Sequence, residues 1–209
     1  MDHVPAENFM RVTLVRHGQS LGNLHGILQG QQDWRLSPRG REESSAAALR
    51  YAGRQPDRIL VSPLLRARET AEIVFPGRTL IPEPAFKEVC EGRWEGRTMK
   101  EIMEREPRYL KGWFRPGSGI SAPGGETVEA LYDRVTTALL RRLSEARGDG
   151  IRDLFIFSHY IAIMAMVGCL TRGGIPSMQH IATGNACGVH FLMSGDTAVL
   201  IGMDLPPEG

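Results

Sequence analysis

Short apolar runs alternate along this chain with longer stretches whose apolar positions recur every third or fourth residue. Val12–Val15, Arg58–Val61, Thr79–Ile81 and Asp153–Phe157 are the short runs. They are rich in aliphatic, β-branched and aromatic residues, and they predict strands buried on both faces. Helices are predicted between them. Ser37 and Pro38 supply an N-cap and a first-turn proline, Ala46–Leu49 favour the helix, and Gly53 stands near its end. A second helix is expected from Ser62-Pro63 to Phe75, stopped by Pro76-Gly77. The clearest amphipathic helix follows Pro123–Glu126. Val128, Leu131, Val135, Leu139 and Leu143 form its core-facing stripe, and Gly148 closes it. Ile161–Leu170 is apolar nearly all round and predicts a buried helix. Ala186–Met193 and Thr197–Met203 predict two closing strands joined at Ser194-Gly195-Asp196. Strands alternating with helices imply an α/β fold, with a mostly parallel central sheet covered by helices on both faces.

Residues 82–125 break the pattern. They hold several prolines and glycines, Trp94, Trp113 and Phe114, and one short helix near Thr98–Arg105. We expect a single domain over residues 1–209, with this segment as a cap-like insertion over a sheet edge. Composition narrows the classes. Apolar residues make up 42% and charged residues 23%, with a net charge of +1. No global field draws such a chain to nucleic acid or to a membrane surface, so any attraction for anions must be local. No apolar run is long enough to span a bilayer. Met1–Met10 carries Asp2 and Glu7 and lacks the apolar core of a secretory signal. Cys90, Cys169 and Cys187 are odd in number and form no CxxC pair. They suggest reduced thiols in a cytoplasmic protein. Oligomeric state is left open, a homo-oligomer included.

The candidate chemistry sits where the strands stop. The first strand ends at Arg16-His17-Gly18, with Asn23 five residues on; Asp153–Phe157 ends at Ser158-His159-Tyr160; and Arg66 lies in the first turn of the helix after Arg58–Val61. Open α/β sheets bind ligands just beyond the carboxyl ends of their strands. Gly18 would let the backbone turn or lie close to a ligand. Two guanidinium forks suit a phosphate dianion. A neutral imidazole is a competent nucleophile, and Glu88 could give a proton to a leaving oxygen. His3, His25, His180 and His190 fall in no metal-ligand spacing. Arg68 and Arg93 read as solvated arginines, and Trp94, Trp113 and Phe114 as packing of the inserted segment.

Five stretches in order carry a resemblance: Arg16-His17-Gly18; Ser62-Pro63-Leu64-Leu65-Arg66-Ala67 with Thr70-Ala71; Glu88 ahead of Gly92-Arg93-Trp94-Glu95-Gly96; Gly125-Glu126; and Ser158-His159. Together they resemble the histidine phosphatase superfamily, in particular its phosphoglycerate-mutase-like phosphatases, over residues 11–203. The resemblance implies a metal-independent phosphomonoesterase without cofactor, acting on a small phosphorylated metabolite. In that reading His17 becomes phosphohistidine. Arg16, Arg66 and His159 hold the phosphoryl oxygens with help from Asn23, and Glu88 is the acid. Glu95 and, behind it, Glu91 are the competing acids. Phe86 replaces the family's usual leucine, and Tyr160 replaces the glycine that usually follows the second histidine. Tyr160 would either narrow the substrate site or pack inward. Rival readings are a phosphoglycerate mutase, disfavoured by the short segment after Glu88, and a non-catalytic phosphate-binding relative, disfavoured by the intact catalytic set.

Overall fold

The computed structural model describes residues 9–107 and 109–205; most of the Met1–Met10 stretch lies outside them. Its centre is one six-stranded sheet. The strands are β1 (Phe9–Arg16), β2 (Arg58–Val61), β3 (Ile81–Pro82), β4 (Asp153–Ser158), β5 (Gly188–Ser194) and β6 (Thr197–Met203), in the order β3-β2-β4-β1-β5-β6. The first four are mutually parallel, while β5 pairs antiparallel with β1 and β6 pairs antiparallel with β5. The mostly parallel sheet read from the chain is therefore present. The third strand is shorter and later than expected, and Pro82 at its end has no N–H to continue the ladder.

Side chains alternate between the sheet's faces, and this alternation builds two cores. Val12, Leu14, Leu60, Leu154 and Ile156 pack on one face, under α6 (Val128–Gly148) and α7 (Tyr160–Leu170). Val15, Ile59, Val61, Phe155 and Phe157 pack on the other, under α2 (Pro38–Arg50) and α3 (Leu65–Val74). Every residue of the predicted stripe from Val128 to Leu143 is buried in the first core. Among the described residues no helix is long and apolar enough to cross a membrane.

Helix starts test the expectations most directly. Ser37 caps α2 as read, accepting from the Gly40 amide, with Pro38 as the first helical residue. α3 does not start at Ser62-Pro63. Its first residue is Leu65, whose amide donates to Asp33 Oδ1 at 2.6 Å. An acceptor 32 residues away in sequence takes the first amide of the helix, and Ser62 Oγ accepts from the Leu64 amide before it at 3.4 Å. Three short helices carry no readable periodicity: α1 (Leu21–Leu24), α5 (Tyr109–Gly112) and α8 (Gly174–Met178).

The segment 82–125 holds α4 (Met99–Arg105), α5 and two 3-10 turns, Pro84–Phe86 and Gly92–Trp94. Ile102, Tyr109 and Trp113 join the core under α6, and Met99, Tyr109, Trp113 and Phe114 form one wall of a cleft that also contains Arg16 and His17. The segment's apolar side chains need a second apolar surface to bury against, and the α6 face supplies it.

Gly18 also has a use the sequence did not show. A Cβ there would lie 2.4 Å from the Gly40 carbonyl oxygen, and a Cβ on Gly40 would lie 1.9 Å from the Gln19 carbonyl oxygen. The loop after β1 thus rests directly on the first turn of α2, and the close partner of Gly18 is helix backbone. In an open helix Gly→Ala stabilises by about 0.8–1 kcal/mol. Here Gly40→Ala should reverse that sign and lower the urea midpoint. A midpoint equal to or above wild type would show that the loop gives way.

Candidate active site

The parallel pairing of β1 with β4 puts Arg16 opposite Ser158, and the His17 amide donates to the Ser158 carbonyl at 3.1 Å. The two chains leave the sheet side by side, so His17 and His159 meet with ring centroids 5.2 Å apart. Both rings are buried. His17 Nδ1 lies 2.7 Å from the Gly18 carbonyl oxygen. A carbonyl only accepts, so Nδ1 carries the proton and Nε2 keeps its lone pair. His159 Nε2 is 2.7 Å from Ser62 Oγ. Burial, then the charges of Arg66 and Arg16, push His17 well below the usual imidazole value. The same burial, with Arg66, His17 and Arg16, does so for His159. Both are neutral at pH 7.

Arg66 comes from the first turn of α3 and is 1% exposed. Two of its nitrogens donate to the carbonyls of Gln32 and Gly30, at 2.9 and 2.8 Å. Burial brings its pKa down to about 10, so it remains charged. Arg16 donates to the Thr183 carbonyl at 2.7 Å, and its guanidinium sits 4.8 Å over the Tyr160 ring. Tyr160, half-buried, lines the cleft beneath Arg16 and reaches the Ile181 carbonyl at 3.4 Å. Among the described residues, Arg16 Nε, Arg66 Nε and His159 Nδ1 are buried with no partner in the protein. Such buried polar atoms usually cost about 1–3 kcal/mol each. Three of them on the residues around His17 leave unsatisfied capacity for an anion's oxygens.

Glu88 lies in the same cleft. Its carboxylate accepts from the amides of Val89, Ile161 and Ala162 at 3.0–3.3 Å, the last two belonging to the first turn of α7. The loop that carries it is clamped by Arg134 on α6. Arg134 makes two 2.8 Å bonds to Glu126 and donates to the carbonyls of Ala85, Lys87 and Glu88. The sequence reading missed Arg134, which lies on the flank of the core-facing stripe. An arginine on that flank, eight residues beyond Glu126, was the available signal. Asn23 lines the cleft, but its Oδ1 is occupied by the Ser20 amide and hydroxyl in the cap of α1. Glu95 does not line the cleft. Its Oε1 accepts from the amides of Gln31 and Glu91. Glu91, ranked behind Glu95 from the sequence, is the one that does line it, and Tyr109 donates to its Oε2 at 2.6 Å.

The cleft has a volume of ≈ 640 Å³, within the usual range for small-molecule sites. Arg16 and Arg66, beside the neutral His17, make its base positive. Leu28, Val89, Met99, Trp113, Phe114 and Met164 make its walls largely apolar. Trp113 and Phe114, read first as packing, also line the cleft, whereas Trp94 packs edge-on against Tyr109. Among the described residues no group of three or more His, Cys, Asp or Glu is placed to hold a metal ion.

A basic cleft at the carboxyl ends of parallel strands defines an anion-binding α/β protein. The model of the histidine phosphatase superfamily (branch 1) matches residues 12–204, and the chain belongs to that family. A wheat (Triticum aestivum) protein named 2-carboxy-D-arabinitol-1-phosphatase is 29% identical over 90% of this chain, which spans 38% of that longer protein. A Photorhabdus laumondii protein named Probable phosphoglycerate mutase GpmB is 33% identical, over 80% of this chain and 77% of its own. The crystal structure of the alpha-ribazole phosphatase from Shigella flexneri superposes with a TM-score of 0.85 at 25% identity, covering 96% of this chain and 98% of that one.

The buried neutral histidines make stability pH-dependent. Their folded-state values lie below the unfolded value of about 6.5, so below that pH the unfolded chain binds protons that the folded chain does not. Stability should be full above pH 6.5 and fall as the pH drops toward the depressed values. Each histidine should contribute a slope of up to about 1.4 kcal/mol per pH unit. His159→Gln should remove one such increment between pH 5 and 6.5 in urea unfolding. Parallel curves for variant and wild type would contradict it.

Proposed function

We propose that this protein is a phosphomonoesterase acting on a small phosphorylated metabolite through a phosphohistidine on His17. The observation that carries the reading is the set of unpartnered buried nitrogens on Arg16, Arg66 and His159 around a ring whose Nε2 lone pair is free. In the forward step Nε2 attacks phosphorus and the ester P–O bond breaks. Arg16, Arg66 and His159 donate to the non-bridging oxygens, where charge builds up, and Asn23 assists through its amide nitrogen. Glu88 passes its proton to the departing alkoxide. Water then attacks the phosphohistidine, gives its proton to Glu88, and releases phosphate and neutral His17. Two arginines supply the positive charge that metal ions give other phosphatases, so we propose no metal and no cofactor. The three free cysteines support a cytoplasmic setting. Identity to a protein named as a mutase supports a second reading, transfer between positions of phosphoglycerate. Assaying phosphate release beside mutase activity on 3-phosphoglycerate separates the two.

His17→Ala should abolish turnover of p-nitrophenyl phosphate and remove acid-labile label from the protein, while wild type keeps its activity in EDTA. Normal turnover in the variant, or loss in EDTA restored by a divalent ion, would sink the mechanism. Glu88→Gln should slow single-turnover transfer from alkyl phosphates by about 10²- to 10⁴-fold, the usual contribution of a general acid. p-Nitrophenolate leaves without a proton, so that ester should slow far less. Equal losses for both esters would take the acid role from Glu88, and Glu91 would be tested next.

A further inference from the structure

We propose that Glu91 and Tyr109 form a subsite for a cationic nitrogen on the alcohol part of the substrate. The proposal rests on the phosphomonoesterase reading and specifies which esters the cleft takes.

Glu91 is 5% exposed, yet it lines the cleft that holds His17. A buried carboxylate is normally paired with a cation, because desolvation otherwise outweighs its interactions. None of the ion pairs among the described residues involves Glu91. Its one side-chain partner there is the Tyr109 hydroxyl, on Oε2. Among the described residues Oε1 has no partner. The surrounding charge is also negative. Glu88, Glu95 and Glu126 all act on Glu91, and with burial as the larger cause they push its carboxyl up to about 7. Glu126 is matched by Arg134, whereas Glu88 and Glu95 accept from backbone amides and form no ion pair among the described residues.

The same field that disfavours a proton's departure from Glu91 favours a cation beside it. Tyr109, Trp113 and Phe114 add aromatic surface on that wall, and the faces of such rings attract cations. The cleft is thus divided in charge. Two arginines serve a phosphate at the base, and an acid with no cation beside it among the described residues serves, with the aromatic rings, a positive group on the wall. A phosphorylated amino alcohol, or an ester of an alcohol bearing a protonated nitrogen base, satisfies both ends.

The test is calorimetric binding of matched phosphonates to the full chain: ω-aminoalkyl, ω-hydroxyalkyl and plain alkyl phosphonates of graded length. At the length that spans the two ends, the amine should bind wild type on the order of tenfold to a hundredfold more tightly than both isosteres. Glu91→Gln should bring that ratio close to one, and Tyr109→Phe should reduce it partly. No amine preference in wild type, equal preference for the hydroxyl compound, or an unchanged ratio in Glu91→Gln would overturn the subsite. Binding does not need turnover, so the outcome is independent of the phosphatase reading, which p-nitrophenyl phosphate hydrolysis decides separately. Wild-type preference also stands as evidence where a variant folds poorly.

Discussion

The site depends on the parallel pairing of β1 and β4. Arg16 opposite Ser158 is a register of backbone hydrogen bonds, and it brings two histidines 142 positions apart in sequence to 5.2 Å. A slip of one residue would turn Val12, Leu14, Leu154 and Ile156 out of one core and into the other. Two apolar cores on opposite faces therefore hold the histidines in place. Packing energy spread over the whole sheet defends a geometry that no contact within the site could defend alone.

The second constraint is the burial of positive charge. Arg66 is enclosed and Arg16 partly so, and each gives part of its donor set to backbone carbonyls. These carbonyls orient the guanidinium groups without neutralising them. Burial, with that remaining charge added, keeps His17 and His159 unprotonated, the state the proposed nucleophile His17 needs. The same low-dielectric surroundings strengthen every interaction with an anion. Affinity for a dianion and nucleophilicity of the imidazole thus share one physical cause.

The acidic side of the cleft is built by different means. Glu88 rests on the amino end of α7, and its loop hangs on Arg134 of α6 and on Glu126 just before that helix. One helix thereby positions the loop that carries the candidate acid while burying the apolar stripe that anchors the segment 82–125. The wall carrying Tyr109, Trp113 and Phe114 and the loop carrying Glu88 are fixed to the same element, so the shape of the cleft and the placement of its acid are coupled.

Local pattern determined much of this. The strand runs, the α2 cap at Ser37, the α6 stripe and the polar stops at Arg16-His17 and Ser158-His159 are legible because each depends on neighbours within a few residues. A strand that ends in arginine and histidine says where a site should be, and the sheet's topology confirms that these ends converge. Other features belong to tertiary structure alone. Asp33, not Ser62, caps α3; Gly18 is reserved for the backbone of α2; Arg134 holds the Glu88 loop; and Glu91, not Glu95, reaches the cleft with Tyr109 as its partner. Each pairs residues from 18 to 46 positions apart, or backbone with backbone, and no periodicity records which of several equivalent acids or serines a distant segment will meet. Packing decided those partners because a buried polar group must find whatever donor or acceptor the fold brings within reach.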